Sequence, residues 1–181
     1  MAIDRWRRIR SRLLQDCRVF RLNEVEFERE GFPAPDPFYV VDSPDWINVI
    51  PLLPDGRVVM IRQYRFGTET ETLEIPGGMC DPGEEPAVAA SRELLEETGF
   101  TAASWTLLGA VHPNPAIQSN TCHTFLADGL TRVAEPNPDP NESFEERLVA
   151  LDDIPGLIAG GEITHSLVVA AFYLLGSRQA G

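Results

Sequence analysis

Three glutamates, Glu93, Glu96 and Glu97, follow directly on an arginine, Arg92. On a helix, Glu93 and Glu97 lie on one face, with Glu96 beside them, and like charges at that spacing repel. Arg92 is the i+4 neighbour of Glu96 and can bind one carboxylate through two N–H groups. A single guanidinium does not neutralise three carboxylates. A hard divalent cation such as Mg²⁺ does, because it takes carboxylate oxygens, backbone carbonyls and water. Without a cation, crowding raises carboxylate pKa values. The competing reading is a solvated acidic helix face carrying a few ion pairs, which is common for such charge patterns.

The elements that must hold these residues can be read from the chain. Pro86 suits the first position of a helix, with Glu85 just before it and Gly99 suited to the left-handed position after its end. Val88, Arg92 and Leu95, with Ala87, Ala90 and Leu94, give this helix a mostly apolar side. "WINVIPLL" and "RVVMIRQYRF" flank "PDG" (54–56), which predicts a β-hairpin. Residues 71–76 lead into the glycine pair Gly77–Gly78 as another strand. Residues 17–29, 103–111 and 121–127 and "RLVAL" also read as strands, and residues 164–175 as a closing apolar helix. Strands and helices interleave without regular βαβ units. The fold class is α/β, a mixed sheet packed between helices.

A fixed frame surrounds the glutamates. Gly78 is followed after five residues by Glu84, and after seven more by Arg92, Glu93, Leu94, Leu95, Glu96, Glu97, Thr98, Gly99 and Phe100. Such a set arises by chance on the order of 10⁻⁹ times per start at average residue usage. The stretch resembles the Nudix box, GX₅EX₇REUXEEXGU with U an aliphatic or aromatic residue, without a mismatch. The resemblance implies an α/β/α sandwich that hydrolyses a nucleoside diphosphate linked to another group, using Mg²⁺ or Mn²⁺. It implies that Glu93 and Glu97 are metal ligands, that Glu96 is a ligand or lies next to one, and that Gly77 offers its carbonyl. Arg92 would orient the glutamates, and Glu84 would brace the loop. Members of the family often carry alanine at the position of Gly77, a difference of little consequence if only the carbonyl is used.

The flanks narrow the resemblance. "RQYR" (62–65), the proline at Pro115 and "PDWINVIPL" resemble ADP-ribose pyrophosphatases and related nucleoside diphosphate sugar hydrolases. That places Arg65, Pro115 and Gly78 on the substrate side, with Trp46 or Phe66 as aromatic candidates for stacking on a base. "ESFEERLVAL" resembles the end of the family's catalytic loop. Glu142 then takes the place of the general base, with Glu145 as the alternative. The subgroup also implies a homodimer through an N-terminal segment, residues 1–44, ahead of a hydrolase domain at 45–181. Two other readings are a housecleaning nucleoside triphosphatase with the same box and a non-catalytic nucleotide sensor. The sensor fits less well, since every box glutamate is present.

Composition limits the partners. A formal net charge of −13 over 181 residues opposes binding to a long nucleic acid, which relies on Lys and Arg. A small anionic nucleotide remains compatible if a metal supplies local positive charge. Three cysteines without CxxC spacing give neither a disulfide framework nor a zinc signature, and fit a reducing cytoplasm. No membrane span or secretory signal is expected. The arginines of the leading segment (Arg5, Arg7, Arg8, Arg10, Arg12) read as solvated surface.

Overall fold

The structure, a computed structural model, describes residues 5–30, 32–34, 36–137 and 143–179. The chain divides into two compact units, Met1–Pro44 with His112–Thr121, and Asp45–Val111 with Cys122–Gly181. The first unit is built on an antiparallel sheet of β1 (Arg7–Asp16), β2 (Arg21–Arg29), β3 (Phe32–Pro33) and β4 (Phe38–Asp42), with β2 pairing to all three others. The arginine-rich leading segment is therefore a strand. It is exposed along its whole length, as expected of solvated surface, yet its charges are matched across the ladder. Arg7 pairs with Glu28, Arg10 with Glu26 at 3.4 Å and Arg12 with Glu24 at 2.9 Å. The turn into β2 closes through Cys17 N–H to the Phe20 carbonyl, 2.9 Å, with Arg18 at φ 67°.

The second unit holds the mixed sheet. β5 (Trp46–Pro51) runs parallel to β11 (Cys122–Asp128) and antiparallel to β8 (Gly77–Met79), and β10 (Ser104–Val111) pairs antiparallel to the other edge of β11. β6 (Arg57–Arg65) lies between β7 (Thr70–Glu74) and β13 (Glu145–Ala150). A small ladder joins β9 (Phe100–Thr101) to β12 (Thr131–Arg132). The helices are α1 (Pro86–Thr98), α2 (Ile154–Gly160) and α3 (Ser166–Gln179).

The turn at residues 54–56 forms as the sequence suggests, with Leu53 N–H on the Arg57 carbonyl at 2.8 Å and Gly56 at φ 83°. The hairpin does not. Beyond a single bridge, Leu52 to Val58, β5 and β6 enter different sheets. Both strands are largely buried; β5 takes its ladder partners β8 and β11 from distant segments, and β6 pairs with the following strand β7 and with distant β13. A local turn signal reports the reversal of the chain and says nothing of which partners win afterwards.

Alternation along β5 builds the layers. Ile47 and Val49 pack with Ala89, Ala90 and Leu94 of α1, together with Cys80, Phe125 and Ala127. Ile50 points to the other cluster, with Val58, Met60, Leu73, Leu108, Ile154 and, from α3, Val168, Ala171 and Leu175. This is the α/β/α arrangement, with α1 on one face and α2 and α3 on the other. The buried face of α1 differs from the expected one. Val88 is 58% exposed and Leu95 36%, whereas Ala89, Ala90, Leu94, Glu97 and Thr98 are buried. The two alanines let α1 approach the sheet closely, and that rotation carries Glu97 inward.

Candidate active site

β8 brings Gly77 and Gly78 alongside Asn48 and Ile47 of β5. α1 then lays its glutamates over this glycine pair. Glu97, only 4% exposed, accepts a hydrogen bond from the Gly77 N–H at 3.0 Å. Glu93 presses on Gly78: a methyl group added there would fall 2.2 Å from Glu93 Oε1 and 2.5 Å from its carboxylate carbon. A side chain at the box glycine would displace the carboxylate it faces. Gly77 is constrained as well, since a Cβ would meet the Ile47 carbonyl oxygen at 2.4 Å. The alanine common at this position in the family is of little consequence only if the carbonyl alone matters. In this chain the missing side chain matters sterically, because the collision is with backbone.

Arg92 ties the remaining carboxylates together. Its Nε and Nη2 donate to the two oxygens of Glu84 at 3.1 and 2.9 Å. Nη1 donates to Glu93 at 2.8 Å and to Glu96 at 3.1 Å, and Nη2 also reaches the Met79 carbonyl at 3.0 Å. Hydrogen bonding to Glu84, then to Glu93 and Glu96, pushes the guanidinium pKa still higher. Glu84 is held below the usual carboxylate range, first by Arg92 and then by the Asp81 N–H, 2.9 Å from its Oε2. Glu96 is the most open of the cluster, with its side chain 46% exposed.

The set can be tested against a hard divalent cation. Among the described residues no three His, Cys, Asp or Glu side chains already converge as a metal cage. The donor chemistry fits nonetheless. Glu93, Glu96 and Glu97 supply carboxylate oxygens beside the backbone of a glycine pair, and Gly78 leaves the space that a Cβ would fill next to Glu93. Asn48, 8% exposed and opposite Gly77, has a buried Nδ2 without a partner among the described residues. The thiols are poor alternatives. Burial raises the pKa of Cys80 and pushes that of Cys122 up to about 12, so neither is a ready thiolate.

The other sequence-predicted residues are dispersed. Arg65, at the end of β6, makes two bonds to Glu74, 2.7 and 2.6 Å, and Glu74 is 2% exposed. Sequence reasoning missed Glu74; its signal was an ionisable residue among apolar neighbours in "LEIP". Phe66 is 77% exposed against Tyr64, while Trp46 is half-buried in β5. Pro115 belongs to the first unit, where it lines a cavity of about 370 Å³ with Trp6, Arg8, Phe27, Phe38 and Ile117. Glu142 lies outside the described residues. Glu145, the alternative, opens β13 opposite Arg62 and lies 3.3 Å from Arg147.

Together these features define a carboxylate-rich site, carried largely on one helix of an α/β/α sandwich. The NUDIX domain profile matches residues 44–172. The chain is 32% identical over 142 residues to the ADP-ribose pyrophosphatase of Bacillus subtilis (strain 168), covering 78% of this chain and 77% of the relative. It is 28% identical over 173 residues to the CMP-5'-(N-acetyl-N-hydroxy-3-aminopropyl)phosphonate hydrolase of Streptomyces rubellomurinus, covering 95% and 83%. A crystal structure described as an ADP compounds hydrolase shares the fold, with a TM-score of 0.85 at 24% identity over 100% of this chain and 97% of that one. The chain belongs to the NUDIX family, and within it resembles the ADP-ribose pyrophosphatase subgroup.

Two predictions follow from this geometry. Gly78→Ala forces the Glu93 carboxylate aside while leaving the backbone in place. Its catalytic rate should fall by at least about tenfold with the thermal midpoint nearly unchanged; a rate equal to the parent's would show that Glu93 need not sit there. The second concerns His165, just before α3, whose Nδ1 is buried and unpartnered among the described residues. Burial lowers its pKa, so the unfolded chain binds the proton more readily. Stability should fall as pH drops below about 6.5 toward the depressed folded value. Urea melts of His165→Gln at pH 7.5 and pH 5 should show a smaller loss than the parent; an equal loss rejects the assignment.

Proposed function

We propose that this enzyme, a Nudix pyrophosphohydrolase, hydrolyses the pyrophosphate bond of ADP-ribose or a related nucleoside diphosphate sugar. The products would be a nucleoside monophosphate and a sugar phosphate. The observation that carries this reading is the assembly around Arg92, in which Glu84, Glu93 and Glu96 meet one guanidinium while Glu97 docks on the adjoining Gly77.

Glu93, Glu96, Glu97 and the Gly77 carbonyl would hold Mg²⁺ or Mn²⁺. A bound cation would screen the diphosphate charge and lower the pKa of a water ligand. The chain's own residues do the rest. Arg92 keeps the carboxylates from repelling one another and fixes their rotamers. Glu84 anchors that guanidinium, and Asp81 anchors Glu84. Arg65, oriented by Glu74, would contact substrate phosphate, and Pro115 and Gly78 would border the substrate. Glu142 would take the proton from the attacking water, with Glu145 as the alternative.

The three cysteines are free, in keeping with the cytoplasmic location we assign. Among the described residues no helix is long and apolar enough to cross a membrane. We assign residues 1–44 to dimerisation. In support, β1 is exposed throughout and, among the described residues, pairs only with β2. It also presents Ile9, Leu13 and Leu14 to solvent.

Incubation with ADP-ribose and Mg²⁺, followed by chromatography, should yield AMP and ribose 5-phosphate. Glu97→Gln should lower the rate about 100-fold or more while the protein stays folded. Failure to turn over ADP-ribose, ADP-sugars, CMP-linked compounds or nucleoside triphosphates would falsify the hydrolase reading. Turnover of triphosphates alone would replace the substrate class. Light scattering should give twice the mass of a 20.1 kDa chain, and removal of residues 1–30 should halve it; a monomeric parent rejects the dimer.

A further inference from the structure

The turn of α1 that carries Glu96 and Glu97 is also its last turn. The final carbonyls of a helix lack partners within it and must find them elsewhere. Here Gly99, at φ 71°, returns its N–H to the Leu95 carbonyl at 2.8 Å. The Glu96 carbonyl is taken by a residue far along the chain, Asn137, whose N–H lies 2.7 Å away. The Gly99 carbonyl accepts from Val133 at 2.9 Å and Ala134 at 3.2 Å. Residues 131–137 thus run across the end of the glutamate helix as a strap. The fit is tight: a Cβ on Gly99 would fall 1.9 Å from the Ala134 carbonyl oxygen.

The strap is itself pinned at Arg132. β12 pairs Arg132 with Phe100 and Thr131 with Thr101, on the residues directly after the helix. The Arg132 guanidinium sits 4.5 Å from the centroid of the Phe100 ring, within cation–π range. It also forms an ion pair with Glu146 of β13. One side chain therefore joins the strap, the segment leaving α1 and the strand β13.

We propose that Arg132 is a positioning residue for the cation-binding carboxylates, acting through this strap. Loss of Arg132 releases the strap, and the last turn of α1 loses the partner of its Glu96 carbonyl. Glu96 then loses its fixed placement beside Arg92, and Glu97 its placement over Gly77. Glu84, Glu93 and Glu96 pair with Arg92, whereas Arg132 pairs with Glu146, so its effect runs through the backbone. The proposal rests on the reading that Glu93, Glu96 and Glu97 hold a divalent cation.

The test uses the full chain and Mn²⁺ as the probe. Calorimetric titration of Arg132→Ala should show Mn²⁺ binding about tenfold weaker than the parent, the scale typical of groups that support metal ligands. Hydrogen exchange at residues 133–137 should quicken in the same variant, with the thermal midpoint little changed. Arg132→Lys, which keeps a cation able to face the Phe100 ring and Glu146 but loses the planar fork, should recover part of both. If Arg132→Ala does not fold, Glu146→Gln provides the same two readouts. Unchanged Mn²⁺ affinity together with unchanged exchange at 133–137 overturns the proposal, as does faster exchange with unchanged affinity. A parent that binds Mn²⁺ but hydrolyses nothing refutes the functional reading alone. A parent that binds no Mn²⁺ refutes the cation site and this proposal with it.

Discussion

Arg92 sits among carboxylates that would otherwise repel one another, and the local architecture follows from that placement. Glu84 comes from the loop before α1, whereas Glu93 and Glu96 come from the helix itself. Binding both sets through one planar guanidinium adds a polar tie between loop and helix to the packing of Cys80 with Ala89, Ala90 and Leu94. The side chain is 27% exposed, and the carboxylates it binds range from 13% to 46%. At such exposure the worth of each pair is modest and screened by solvent. Their value is geometric: several bonds to one rigid fork leave few alternative rotamers for the glutamates.

Two buried carboxylates bracket the segment that leads into this site. Glu74 ends β7 at 2% exposure, and Glu97 reaches the segment from α1 at 4%. A buried carboxylate without partners is costly, so each must be satisfied. Glu74 takes two bonds from Arg65, and Glu97 takes the Gly77 N–H. Between them lie Ile75 and Pro76, with the Pro76 carbonyl bonded to Val49 of β5 at 2.8 Å. The short stretch from Glu74 to Gly78 is therefore fixed by a buried charge at each end and by the central strand in its middle. This also explains why glycine is needed at 77: the strand that anchors the segment leaves no room for a side chain.

Much of this was legible in the sequence because it is local. The spacing from Gly78 to Phe100 fixes a loop, a capped helix and the turn of the helix that bears the glutamates, all within one continuous segment. The helix ends at Gly99 as its residue type suggests. The apolar face of α1 was misread because Val88 and Leu95 outrank alanine in hydrophobicity, while close packing against a sheet favours the small side chains of Ala89 and Ala90. The hairpin between β5 and β6 was misread for a related reason. A turn is encoded by neighbours, whereas the partners of β5, which are β8 and β11, come from residues 77–79 and 122–128. Glu74 went unseen because its partner Arg65 comes from the neighbouring strand β6, and the strap through Arg132 because its partners are distant in sequence.

The pairing of Arg65 with Glu74 limits what Arg65 can contribute as a substrate contact. The bidentate bond leaves the pair close to neutral, so Arg65 is a weak source of positive potential for a diphosphate. It is instead a pre-oriented donor, whose rotamer is set by a buried carboxylate before any ligand arrives. Such preorganisation lowers the ordering cost of binding and favours one geometry over others. Arg92 is likewise occupied by its own glutamates. Two of the chain's arginines thus stand near the box with their charge already matched, in a protein of net charge −13. A cation held by the carboxylate cluster would supply positive charge that these two paired arginines do not.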